Sequence, residues 1–205
     1  MSVSPLPLSL FGSGEARLSG TPSFERHQLD PCCWVDTVDG FIAGADSLFA
    51  TVQADFEWFR GERLMYGTWH DEPRLTAKLD LSDRIVPSVI RAAADLLGRH
   101  YDRRFDGLFC NYYQNGRDSV AWHADRIGRT AIDPLVAIIS LGGPRTFAIR
   151  DQSRASLASR WVMRSGDLLV MGGATQHHWE HAIPKVADAP PRISLTTRAG
   201  FRPDA

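Results

Sequence analysis

The period of the hydrophobic positions changes along the chain near residue 104. Between Ala45 and Arg60 (ADSLFATVQADFEWFR), the apolar residues Leu48, Phe49, Val52, Phe56 and Phe59 recur near helical spacing, which predicts an amphipathic helix capped by Gly44 or Asp46. A second helix is expected over Pro87–His100, with Pro87 in its first turn and Val89, Ile90, Ala93, Leu96 and Leu97 on one side. Arg74–Leu81 (RLTAKLDL) reads as extended chain between them.

Beyond Arg104 the texture is different. Short β-type runs such as GLFCNYY, SVAWH, PLVAIISLGG, RTFAIR, DLLVMGG and RISLTTR alternate with Gly, Pro and Asn. Many short strands without intervening helices suggest a sandwich or barrel rather than βαβ units. Asn115-Gly116 and Ser165-Gly166-Asp167 have the chemistry of hairpin turns. The fold expected is mainly β with N-terminal helices (α+β), the helices preceding a jelly-roll-like antiparallel core. The first 30 residues, rich in Ser, Pro and Gly, read as an extension or loosely docked arm. Residues 31–205 then form one domain, its helical part about 31–104 and its core about 105–201.

Composition narrows the function classes. With 43% hydrophobic and 23% charged residues in 205, a sizeable core is available. A formal net charge of -1 shows no overall basic excess, so any nucleic-acid binding must rest on a local patch. The cysteines Cys32, Cys33 and Cys110 form neither a disulfide framework nor a zinc spacing and favour a reducing compartment. The N-terminus lacks the charged start of a signal peptide, and no apolar run approaches the ~20 residues of a membrane span. A cytoplasmic location is expected.

Candidate chemistry begins at His123 and Asp125. Two apart in a strand-to-loop segment, they face one side and can address one ion. A third ligand must come from a distant strand, and His177, His178 and His181 are the candidates. Two histidines and a carboxylate leave open positions for a co-substrate and O2, as in non-haem iron(II) oxygenases. An H-x-D tripeptide alone carries little weight, since such short motifs recur by chance. The second element is Arg192–Arg198 (RISLTTR), whose two arginines share a face at even spacing and suit a dicarboxylate. The alternative has both arginines in solvent, with Ile193 and Leu195 facing the core.

Taken in order, these segments resemble the AlkB dioxygenases. Residues 111–125 (NYYQNGRDSVAWHAD) are similar to the family's N-x-Y … H-x-D segment, and 134–147 (PLVAIISLGGPRTF) to the strand pair after it. Residues 166–171 (GDLLVM) and 178–185 (HWEHAIPK) resemble the strand and third-ligand segment, and 192–198 the R-x-N-x-x-x-R signature. The likeness covers about residues 62–201. It implies a double-stranded β-helix core, with His123, Asp125 and His181 as iron ligands; only His181 stands in the W-x-H-x-x-P context. Asn111, Tyr113, Arg192, Ser194 and Arg198 would then bind 2-oxoglutarate, with Fe(II) as metal and O2 as oxidant. The implied reaction is oxidative demethylation of N-alkylated bases in DNA or RNA by a monomeric enzyme, yielding succinate and formaldehyde.

Three departures bear on the substrate. Ser194 stands where the signature has asparagine, Ile127 where DNA-repair relatives carry an acid, and Lys78-Leu79-Asp80 where relatives place lid aromatics. Trp69, Tyr66 or Trp122 would have to supply a ring for stacking a flipped base, core packing being the expectation for Trp122. Arg74, Lys78, Arg103, Arg104 and Arg126 are candidates for phosphate contacts. Two other readings stay open: the same iron chemistry on a protein or small molecule, and a non-catalytic nucleic-acid-binding jelly roll.

Overall fold

A computed structural model of the chain describes residues 14–65, 67–125, 133–153 and 158–199. Its N-terminal half supplies strands β1 (Arg17–Leu18), β2 (Glu25–Asp30), β3 (Cys33–Val38) and β4 (Ile42–Ala43), helix α1 (Ala45–Asp55), strands β5 (Phe59–Met65) and β6 (Thr68–Leu79), and helix α2 (Ser88–Tyr101). The rest is β7 (Phe105–Tyr113), β8 (Val120–His123), β9 (Leu135–Gly142), β10 (Arg145–Asp151), β11 (Ala158–Met163), β12 (Leu168–Gly173), the single turn α3 (Thr175–His178), β13 (Trp179–Ile183) and β14 (Arg192–Ala199).

Two antiparallel sheets face each other. The major sheet runs β2-β3-β12-β9-β14-β7-β6-β5 and the minor sheet β11-β10-β13-β8. From β7 onward the chain crosses repeatedly between them, which is the jelly-roll winding expected for the core. Asn115-Gly116 and Ser165-Gly166 are therefore corners between sheets, not hairpin turns: β7 pairs with β14 and β6, whereas β8 pairs with β13. A turn motif shapes four residues, but the strands on either side choose partners by burial. At Gly166, φ is +90° and the Ile42 carbonyl occupies the place of a Cβ, so the corner requires glycine.

The core has two layers. One lies between the helices and the outer face of the major sheet, where Leu48, Phe49 and Val52 of α1 and Ile90, Ala93 and Leu97 of α2 meet Ile193 and Leu195. The other fills the space between the sheets with Val136, Phe147, Ile149, Leu169, Met171 and Trp179. Strand β14 is thus buried on both faces, which is why Ile193, Leu195 and Ala199 on its outward side are apolar.

Two boundaries differ from the expected ones. Helix α1 stops at Asp55, because Phe56 is already extended and Trp58 donates its indole N–H to the Gln53 carbonyl. Phe59 consequently joins β5 and is 56% exposed, although helical spacing would have buried it. At the N-terminus, Glu25–Asp30 pairs with β3 at the edge of the major sheet rather than hanging as an arm. Arg26 clamps it by a two-pronged bond to Asp36, at 2.7 and 2.8 Å, and stacks on Trp34.

Candidate active site

The minor sheet brings together the metal candidates. His123 on β8 lies directly opposite His181 on β13, and residues paired this way share a face at about 5 Å between their Cβ atoms. Asp125 follows β8 by two residues, and its Oδ1 is 3.8 Å from His123 Nε2 and 3.9 Å from His181 Nε2. One donor atom from each residue lies within 4.8 Å of the other two, a grouping that could hold a metal ion.

Neighbouring groups fix His123 and Asp125. His123 Nδ1 is 2.8 Å from the Ala121 carbonyl; a carbonyl only accepts, so Nδ1 carries the proton and Nε2 keeps a lone pair for a metal. The Asp125 backbone N–H donates to Gln176 Oε1 at 2.9 Å, and its Oδ2 accepts from Arg198 Nε at 2.9 Å. Burial by itself would raise the Asp125 carboxyl, but Arg198, His181 and His123 outweigh it and hold the group below the usual carboxylate range. Burial, reinforced by His123, depresses His181 to about 3. At neutral pH the cluster is one carboxylate and a neutral His181 imidazole, the protonation state that metal binding requires.

The major sheet forms the facing wall. Arg192 and Ser194 on β14 lie opposite Tyr113 and Asn111 on β7, and Ser194 lies opposite Ser140 on β9. Alternation sends Arg192, Ser194 and Arg198 between the sheets, and all three line a cleft with an empty volume of about 520 Å³ that also holds His123, Asp125 and His181. Arg192 is fully buried. Its Nε donates to Ser140 Oγ at 2.8 Å, while Nη1 and Nη2 have no hydrogen-bond partner. Burial lowers its pKa to about 10, with the nearby Tyr113 opposing, so it remains a cation at neutral pH. Two unpaired NH2 groups on a buried charge are costly. They match the two oxygens of a carboxylate.

The remaining candidates are scattered. Arg74 is in the cleft rather than in solvent, donating to Asn111 Oδ1 at 2.6 Å and pairing with Glu72 at 3.2 Å. Trp69 stands 64% exposed on the β5–β6 hairpin, and Lys78 is exposed on the same strand. Arg104 pairs with Asp106 on the surface. Trp122 is half-buried on the outer face of the minor sheet beneath the Arg150 guanidinium, not in the core. Tyr66, Arg126 and Ile127 lie outside the described residues.

Three contributors escape a reading of the sequence. Ser140 accepts from Arg192, and its only signal is a hydroxyl inside an apolar strand. Gln176 holds the Asp125 backbone from α3. Arg145 ties the β7–β8 corner to the end of β13 through the carbonyls of Asn115, Asp118 and Pro184. Neither of the last two has a local signature.

Comparison with known proteins agrees with this geometry. The family model described as the 2OG-Fe(II) oxygenase superfamily matches residues 54–198. Human alpha-ketoglutarate-dependent dioxygenase alkB homolog 3 is 29% identical over 190 residues, covering 83% of this chain and 66% of its own. Human DNA oxidative demethylase ALKBH2 is 28% identical, covering 76% and 69% respectively. The chain spans slightly under two thirds of the length of the alkB homolog 3 relatives. Among solved structures, OsALKBH1 superposes with a TM-score of 0.53 at 15% identity, covering 85% of this chain and 99% of that one. A Pseudomonas putida prolyl-4-hydroxylase gives 0.52 at 16%, covering 77% and 84%. Both show the shared fold. With a family match across most of its length and this donor set between its sheets, the chain belongs to the 2OG-Fe(II) oxygenase superfamily and is of the AlkB type.

Proposed function

We propose that the chain is an iron(II)- and 2-oxoglutarate-dependent dioxygenase that removes N-alkyl groups from bases in single-stranded or damaged DNA or RNA. The observation that carries this is one cleft holding both a His–Asp–His cluster and a buried Arg192 with two unpaired NH2 groups. His123, Asp125 and His181 are assigned to the metal. Arg192, with Tyr113 beside it, is assigned to one carboxylate of 2-oxoglutarate; Arg198, Asn111 and Ser194 line the same cleft and complete its binding. Together, Fe(II), 2-oxoglutarate and O2 supply the oxidation: the 2-oxo acid is decarboxylated to succinate, and the N-methyl carbon is hydroxylated and leaves as formaldehyde.

The chain's own part is to position and shield. Arg198 fixes Asp125 so that Oδ1 stays turned toward the histidines. Val136, Ile138, Phe147 and Ile183 make the cleft apolar around the cluster and limit water there. Nucleic-acid substrates are favoured by the likeness to the DNA oxidative demethylase ALKBH2 and by Trp69, whose exposed ring on a hairpin beside the cleft strand β7 suits stacking against a base. We assign the protein to the cytoplasm as a monomer, in keeping with its free thiols. No described helix is long and apolar enough to cross a membrane.

The test is demethylation of a single-stranded oligonucleotide carrying 1-methyladenine or 3-methylcytosine. Stoichiometric formaldehyde and loss of the methyl mass are expected; succinate formed without demethylation of either base would refute the substrate class. For the hairpin, Trp69→Ala is expected to weaken oligonucleotide binding between about 5- and 150-fold, the equivalent of one lost stacking contact. Equal affinity of the two proteins across a salt series would exclude Trp69 from the interface.

A further inference from the structure

A second cluster of metal-type donors stands apart from the cleft residues. The tight link between β2 and β3 carries Asp30, Cys32 and Cys33, and it packs against α3, which carries His178. One donor atom from each of these four residues lies within 4.8 Å of the others. Cys32 Sγ is 3.7 Å from Cys33 Sγ, 3.8 Å from His178 Nδ1 and 3.2 Å from Asp30 Oδ1. Cys33 Sγ is 3.9 Å from the same Nδ1.

These separations have the size of a coordination shell. A tetrahedral zinc site, with Zn–S near 2.3 Å and Zn–N near 2.0–2.1 Å, has S···S edges of roughly 3.8 Å and S···N edges of roughly 3.6 Å. A disulfide would need sulfurs about 2.05 Å apart, and all three cysteines are free. The surroundings hold the donors in place. Trp179 Nε1 donates to Asp30 Oδ2 at 2.7 Å, turning Oδ1 toward the thiols, and the Cys32 backbone N–H donates to Oδ1 at 2.8 Å. The Cys32 carbonyl accepts from Ala174 N–H at 2.9 Å. That approach depends on Gly173, at φ +65°, where a Cβ would collide with the same carbonyl. Cys32 and His178 are exposed, which gives an ion a path in, while Cys33 is fully buried.

We propose that Asp30, Cys32, Cys33 and His178 form a structural site for zinc. Two thiolates, an imidazole and a carboxylate are the ligand set this cation prefers among divalent ions. The site joins the N-terminal hairpin to the turn that leads into β13, three residues before His181. The ion would thus staple the edge of the major sheet to the segment that delivers a cleft histidine. Spacing alone conceals the site, because His178 is 145 and 146 residues away from the two cysteines.

Cobalt(II) distinguishes this site from the cleft, since only a site with thiolates gives a sulfur-to-cobalt charge-transfer band. The reduced full-length protein, stripped of metal by a chelator, is titrated with Co(II) and then with Zn(II). A thiolate charge-transfer band with tetrahedral visible absorption, displaced by about one equivalent of zinc, is expected. Cys32→Ala should lose about half of the band, and His178→Ala should keep a band while binding zinc more than about 10-fold more weakly. Both side chains are exposed, so the variants are expected to keep the fold, which circular dichroism checks. Asp125→Ala should leave the band unchanged. Absence of a charge-transfer band in the parent protein would overturn the site, as would unchanged zinc affinity in His178→Ala.

Discussion

Asp125→Ala is expected to reduce succinate formation by more than about 100-fold, past the 10- to 100-fold that loss of a supporting group around a metal costs. The reason is twofold. Asp125 is the only anion among the three metal candidates, so its removal takes away the charge that offsets a divalent cation. Its loss also removes the acceptor of the 2.9 Å bond from Arg198, so that the guanidinium's charge beside the ion is no longer offset by this carboxylate. Asp125→Asn is expected to keep much of the shape but little of the activity, because an amide brings no charge. Succinate production at the parent rate in Asp125→Ala would remove this residue from the metal centre.

Arg192→Met is expected to give a protein that is more stable without ligand and binds 2-oxoglutarate far more weakly. In the parent protein Arg192 is a fully buried cation with two unsatisfied NH2 groups, offset by Ser140 and the nearby Tyr113. Replacing buried ionic groups by apolar side chains of similar volume is often neutral or stabilising, by up to roughly 4 kcal/mol, less about 1 kcal/mol here for the hydroxyl of Ser140 left unpaired. The same substitution removes the partner of a carboxylate. With Mn(II) as a redox-silent metal, the parent protein should gain about 2.7 kcal/mol of stability at 2-oxoglutarate concentrations 100 times its Kd, and the variant almost none. Thermal unfolding with and without the acid reads both effects. Equal stabilisation of the two proteins by 2-oxoglutarate would reject Arg192 as its binding group.

Much of the cleft was readable from the chain because strands obey a simple alternation. His123 and Asp125, and Arg192 and Arg198, stand at even spacing, so each pair was expected on a common face. For β14 the alternative placed both arginines in solvent; Arg192 is instead fully buried and lines the cleft with Arg198, while Ile193 and Leu195 do face the core, since helices cover one face of the strand and the opposing sheet the other. What could not be read was tertiary. Spacing left His177, His178 and His181 as equal candidates; the family resemblance singled out His181, and the register of β13 against β8 puts it opposite His123. Phe56 and Phe59, three apart, imitate one more helical turn; the demand of β6 for a partner makes Phe59 a strand residue instead. Ser140, Gln176 and the Asp30–Cys32–Cys33–His178 cluster depend on contacts between segments remote in sequence, which no local pattern encodes.

The central claim is that one cleft binds iron and 2-oxoglutarate together, and an anaerobic optical titration tests it most directly. A 2-oxo acid chelated to Fe(II) gives a weak visible metal-to-ligand charge-transfer band that neither component gives alone. The parent protein is expected to develop this band only when both Fe(II) and 2-oxoglutarate are present, Asp125→Ala to show none, and Arg192→Met to need far more 2-oxoglutarate to reach it. No band in the parent protein, or the same titration in all three proteins, would contradict the account.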